Sequence, residues 1–298
     1  MQKIDKAGKR EHRARVMLCI SMIIFGTLGL FTRNIPVSSG ELALYRAILA
    51  AILIGVFLTI GRRWSGLRAA KKELPLLFAS GAAMGINWIL LFQAYRYTTV
   101  SIATLSYYFA PVIVTLTCPI LFRERLTKKQ RVCFIMSTLG LILIIGVGSP
   151  SGGRLDLTGI LFGLGAACFY AAVILLNKFI RQVGGIQRTF LQFLAAIIVL
   201  IPYVVCTGGS SLGKLNTVAW ISLLAVGLIH TGITYCMYFT ALKELKGQET
   251  AILSYLDPLV AVLVSVVVLH EKLTLLQAIG GILILGFTLW NELGTEET

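Results

Sequence analysis

Two charged side chains lie where an apolar environment should forbid them. Asp257 stands inside "AILSYLDPLVAVLVSVVVLHEKLT" (residues 251–274), directly before Pro258, and Arg46 stands inside "ALYRAILAAIL" (residues 43–53). A carboxylate at the centre of a membrane helix costs about 2.5–3.5 kcal/mol on insertion scales, so it needs a partner, water or a purpose. Asp257 can cap a half-helix that restarts at Pro258, because proline suits the first helical position. It can equally carry a proton or meet a polar group of a bound solute. Arg46 lies five residues past Glu41. It can snorkel outward, pair with Glu41, or face an interior cavity to bind a carboxylate or hold Asp257. His230, Thr234 and Tyr238 recur at four-residue spacing, which on an α-helix puts them on one face. A histidine there is either a satisfied structural donor or a ligand contact. Asn87, Trp88, Tyr108, Tyr235 and Tyr255 complete the candidates for a cavity lining, against the plainer reading that aromatics between helices are packing.

The elements that must position these groups are membrane spans. Of 298 residues, 57% are hydrophobic and 13% charged, and the polar residues cluster between apolar runs long enough to cross about 30 Å of hydrocarbon as helices. Ten spans are expected, near residues 16–33, 40–60, 74–95, 100–122, 130–147, 157–178, 186–206, 218–241, 250–269 and 274–291. The first follows a basic tail but shows no clear small-x-small cleavage site, and nine more follow, so it reads as a retained helix. Counted from Gln248 at about 1.5 Å per residue, Asp257 lies about 12 Å into the membrane. Lys and Arg set the orientation: 21 of the 27 fall in the N-terminal tail and alternate loops (62–72, 123–131, 178–188 and 243–246). Both termini are therefore expected in the cytoplasm, at a cytoplasmic (inner) membrane. The net charge of +14 then reports topology and calls for no nucleic-acid partner.

An internal repeat organises the spans. A shift of 147 positions pairs Gly85 with Gly232, Phe92 with Phe239, Tyr108 with Tyr255, Pro111 with Pro258, Glu124 with Glu271 and Gln130 with Gln277. Each half, residues 1–147 and 148–298, holds five spans, an odd number, so the halves must cross the membrane in opposite directions. The loop charges agree: "FRERLTKKQR" carries five basic residues and its twin "LHEKLTLLQA" one. Inverted repeats are a common plan of secondary transporters, with the solute site near the midplane between the halves. The position equivalent to Asp257-Pro258 is Ala110-Pro111. The same kink is thus made without a carboxylate, which favours a chemical role for Asp257.

Other motifs read as structure. Thr127-x-x-Gln130 and Thr274-x-x-Gln277 are capping boxes. Glu124 and Glu271 close the preceding helices at the interface, with gating as the alternative. Gly81-x-x-x-Gly85 and Gly159-x-x-x-Gly163 allow helix backbones to approach closely. The six cysteines lie in apolar runs without a C-x-x-C pair and read as small buried hydrophobes, not disulfides or metal ligands. "GGSSLGKL" is no P-loop, since Leu215 stands where Ser or Thr is needed, and "HEKLT" is no H-E-x-x-H. No metal or cofactor is expected. Transport would draw on a gradient or be passive.

The stretch "ATLSYYFAPVIVTLTCPILFRERLT", its echo at residues 251–274 and "ALYRAILAAIL" resemble the drug/metabolite transporter superfamily, specifically its EamA-type members, over residues 16–290. The resemblance implies a ten-helix basket with spans three, four, eight and nine around a cavity. It also implies export of amino acids, related metabolites or drugs. Arg46 falls on that family's usual arginine, and Asp257 where many members carry an acidic residue before the proline. The aromatic before the span-one glycine, often Trp in the family, is Phe25 here.

The expectation is an all-α integral membrane protein of ten transmembrane helices in two inverted five-helix repeats. It would export small organic solutes by alternating access. Asp257 would couple protons, and Arg46, Asn87, Trp88, Tyr108, His230, Tyr235 and Tyr255 would line the site. Its partners would be the solute, protons and the lipid bilayer. A passive facilitator is the alternative. A membrane-embedded enzyme would need clustered acidic or His residues, and only scattered singles are present.

Overall fold

A computed structural model describes residues 2–61, 64, 70–122, 127–146, 154–242, 244–245 and 253–293. Glu124, the helix start at Gln248 and the basic residues Arg62, Arg63, Arg68, Arg123, Arg125, Lys243 and Lys246 lie outside the described residues.

The described residues form helices and connections, with no strand among them. In chain order the helices are α1 (Gln2–Gly26), α2 (Leu28–Thr32), α3 (Ser39–Ile60), α4 (Leu74–Tyr97), α5 (Val100–Tyr107), α6 (Ala110–Phe122), α7 (Lys128–Gly146), α8 (Arg154–Phe179) and α9 (Gly185–Cys206). They continue with α10 (Thr217–Leu224), a π-helical stretch (Ala225–Ile233), α11 (Thr234–Ala241), α12 (Leu256–Val267) and α13 (Leu275–Glu292). Among the described residues, seven helical stretches are long and apolar enough to cross a membrane, and α12 and α13 are shorter apolar helices. The start of α7 carries Lys128, Lys129 and Arg131.

The helix ends follow the local sequence. Thr127 and Thr274 accept from the backbone N–H groups of Gln130 and Gln277, whose side chains accept in return from the threonine N–H groups. A third such box, Ser38 with Glu41, starts α3 and was not anticipated.

Two pairs of equivalent helices pack antiparallel. In α3 and α9, Gly40 meets Tyr203 while Gly55 meets Phe190. In α7 and α13, Lys129 donates to the Asn291 carbonyl while Gly140 meets Gly280. A Cβ on Gly140 would lie 2.6 Å from the Gly280 carbonyl oxygen, and one on Gly280 2.5 Å from that of Gly140. The backbones touch, and only glycine fits. The anticipated small-residue contacts occur too: Gly81 lies against the Gln192 carbonyl, and Gly159 and Gly163 lie against Thr98 and Ser106.

The largest core cluster joins α3, α4 and α9. Large apolar side chains such as Ile52, Leu161, Ile198, Leu263 and Ile282 point outward, as a surface solvated by lipid tails requires. The cysteine expectation is corrected here: Cys133 and Cys236 are buried, but Cys168 and Cys206 are exposed. In a bilayer an apolar side chain gains little by choosing the core over the lipid face.

Candidate functional site

The chain breaks at the same place in both halves. α5 ends at Tyr107 and α6 restarts at Ala110, before Pro111; a break at Tyr255 precedes α12, whose first turn holds Asp257 and Pro258. The proline imposes the restart, and discontinuous helices at membrane depth are where transporters build sites. Asp257 does not cap its own helix, whose N-terminal residue Tyr255 makes no side-chain cap. Its Oδ2 instead accepts from the Tyr108 hydroxyl at 2.5 Å. The bond crosses from one half of the chain to the other.

Asp257 and Tyr108 face a cavity of about 360 Å³ bounded by α1, α3, α4, α5, α8, α9, α11 and α12, a volume within the usual range for small-molecule sites. Arg46 faces the same cavity, 3% exposed. Its guanidinium carbon lies 4.4 Å from the Trp88 ring centre and 5.3 Å from that of Phe92. Its Nε donates to the Thr231 hydroxyl at 3.1 Å. The pairing with Glu41 does not form. Glu41 accepts from the backbone N–H groups of Ser38 and Ser211 and from the Tyr45 hydroxyl. Trp88 and Tyr235 line the cavity as expected, and Tyr235 packs edge-on against Phe25, 5.3 Å between ring centres.

Three expected lining residues lie elsewhere. Asn87 donates to the Ala166 carbonyl at 2.6 Å and fastens α4 to α8. Tyr255 lines an apolar groove between α12 and α13 with Leu105 and Gly281. His230 sits between Thr27, 3.0 Å from Nε2, and the Ala225 carbonyl, 3.1 Å from Nδ1, with Phe31 over its ring. A carbonyl only accepts, so Nδ1 carries a proton. His230, Thr234 and Tyr238 lie in and just after a stretch that is π-helical over residues 225–233. Of the three, Tyr238 lines the cavity.

Residues not anticipated complete the site. Thr231 holds Arg46. Tyr107 and Tyr170 stack at 5.1 Å on the cavity wall. Gln192, buried, donates to Ser80 at 2.6 Å and to Asn177 at 2.8 Å, making an amide shelf with Thr189. Asn177, Thr189 and Leu242 lie near the ends of α8, α9 and α11 at the face where α1 begins, so the lining extends toward that face. The opposite face carries a set of ties between loops and helix ends. Glu271 pairs with Arg33, accepts from the Ser265 hydroxyl, and accepts from the Val100 N–H at 2.9 Å. Arg96 donates to the Val37 carbonyl, Ser39 donates to Gln93 at 2.7 Å, and the Tyr45 and Ser210 hydroxyls meet at 2.7 Å.

The model of the EamA-like transporter family matches this chain twice, over residues 12–146 and 157–291. The chain belongs to the EamA-like transporter family. A relative from Bacillus subtilis (strain 168), named uncharacterized transporter YxxF, is 32% identical over 93% of this chain and 89% of its own. The threonine/homoserine exporter RhtA of Escherichia coli (strain K12) is 26% identical over 82% of this chain and 79% of its own. A transporter from Archaeoglobus fulgidus is 28% identical over 92% of this chain and 95% of its own. A solved crystal structure shares the fold at a TM-score of 0.64 and 17% identity, covering 92% of this chain and 95% of that one. This EamA-like protein is thus a multi-pass membrane protein among transporters, in keeping with the drug/metabolite transporter superfamily.

Proposed function

We propose that this EamA-like protein is a secondary transporter that exports small organic solutes through the central cavity by alternating access. Ten helices in two inverted five-helix repeats would cross a cytoplasmic membrane, with both termini inside. The observation that carries the reading is the cavity itself: it holds both deep charges, Arg46 and Asp257, and is walled by broken helices from the two halves. The ties around Glu271, Arg96 and Glu41 close the outer face, while the lining reaches toward the inner one, as in an inward-facing state. Antiparallel packing of equivalent helices supports the inverted plan. The exporter RhtA among the relatives supports outward movement of amino-acid-sized solutes. Asp257 is the proton-linked group: protonated it can release Tyr108 or donate to a solute, and ionised it accepts the phenol as drawn. Transport, not catalysis, fits relatives that are named transporters.

In proteoliposomes an imposed pH gradient should drive solute uptake or release by the natural chain. Asp257→Asn should abolish the pH-driven part while the protein stays folded by circular dichroism. Transport that ignores the gradient in both proteins would make this a passive facilitator and remove Asp257 from coupling.

A further inference from the structure

We infer that Arg46 is the oxyanion-binding group of the cavity, and that the solute it selects is an organic monocarboxylate with an apolar or aromatic body. The inference rests on the transport reading and adds the class of cargo.

Among the described residues Arg46 is a buried cation without a paired counter-ion. Among the described residues no carboxylate pairs with it: Glu41 is committed to Ser38, Ser211 and Tyr45, Asp257 accepts from Tyr108, and Glu271 pairs with Arg33. Leaving a buried charge uncompensated is costly, and cation–π contact recovers about 2 kcal/mol of it at most sites. A guanidinium has five N–H donors, and Thr231 takes the one at Nε. The Trp88 and Phe92 rings hold the remaining fork beside the cavity. A planar fork held in place is suited to two oxygens of one carboxylate.

Charge and shape narrow the ligand. A carboxylate adds one negative charge beside Arg46, whereas a dianionic phosphate would add two in a space that already contains Asp257. Much of the lining is aromatic: Phe25, Tyr107, Tyr170, Tyr235 and Tyr238 offer faces and edges to an apolar body.

The test is binding of four matched probes to the purified full chain in lipid nanodiscs, followed by calorimetry. The probes are 3-phenylpropionate, its neutral amide 3-phenylpropionamide, the cation 3-phenylpropylamine and phenethylphosphonate. The carboxylate should bind about tenfold to a hundredfold tighter than the amide and ahead of the amine and phosphonate. Arg46→Gln should erase that gap, and Arg46→Lys should keep part of it, since a point charge lacks the fork. If Arg46→Gln does not fold, the ranking by the natural chain decides alone. The inference is overturned by carboxylate and amide affinities within about twofold of one another, by the amine or phosphonate ranking first, by no binding, or by an unchanged gap in folded Arg46→Gln. The transport reading fails separately: a carboxylate that ranks first yet no probe crossing a proteoliposome membrane leaves the anion site standing without transport. Carriage of the amine but not the carboxylate does the reverse.

Discussion

Tyr108-Phe109-Ala110-Pro111 and Tyr255-Leu256-Asp257-Pro258 occupy equivalent places in the two halves and bend the chain alike, yet they do different work. Tyr108 turns into the cavity and donates to Asp257, whereas Tyr255 lines the apolar groove outside α12 and α13. The repeat supplies the break twice and the chemistry once. The hydrogen bond joins a tyrosine of the first half to a carboxylate of the second, so neither half alone contains the pair.

The comparison can be broken at its tyrosines first. Tyr108→Phe removes a charge-assisted hydrogen bond worth about 1.5–3 kcal/mol, so pH-driven transport should fall about tenfold to a hundredfold. Tyr255→Phe should change it by less than about twofold. Equal losses from both would mean that the tyrosines serve packing, not Asp257. A second contrast lies between the tied face opposite the start of α1 and the cavity. Glu271→Gln gives up the ion pair with Arg33 and weakens the acceptor for Val100 and Ser265. It should cost about 1–3 kcal/mol of stability, seen as a lower thermal midpoint. It should also speed thiol labelling of a cysteine placed at Val37. An unaltered midpoint with unaltered labelling would remove Glu271 from the closure. The smallest effect concerns the twin capping boxes: Thr274→Ala should cost about 1 kcal/mol, and Thr127→Ala, at an exposed turn, less. Thermal unfolding in detergent measures both.

Much of the frame was legible in the sequence. Apolar runs marked the helices, Pro111 and Pro258 marked the breaks, and Thr127, Gln130, Thr274 and Gln277 announced two helix starts, because each is a local rule of chain chemistry. Arg46 and Asp257 were legible as deep charges, because apolar flanks on both sides leave them nowhere else to be. The facing of individual side chains was less so. The π-helical turns at 225–233 carry no mark in the sequence, and His230 was expected in the cavity lining but holds the bend after α1 through Thr27. Asn87 looks like a ligand contact until the Ala166 carbonyl is brought to it from 79 residues away. Thr231 is one hydroxyl among many, and its bond to Arg46 spans 185 residues. Asn177, Thr189 and Gln192 are uncharged, so they drew no notice within apolar runs.

The seam between α7 and α13 has a mechanical consequence. Where two main chains abut at Gly140 and Gly280, neither rod can roll or slip past the other without collision. On the transport reading proposed above, that seam is a keel common to both bundles, around which the parts that admit or discharge cargo would pivot.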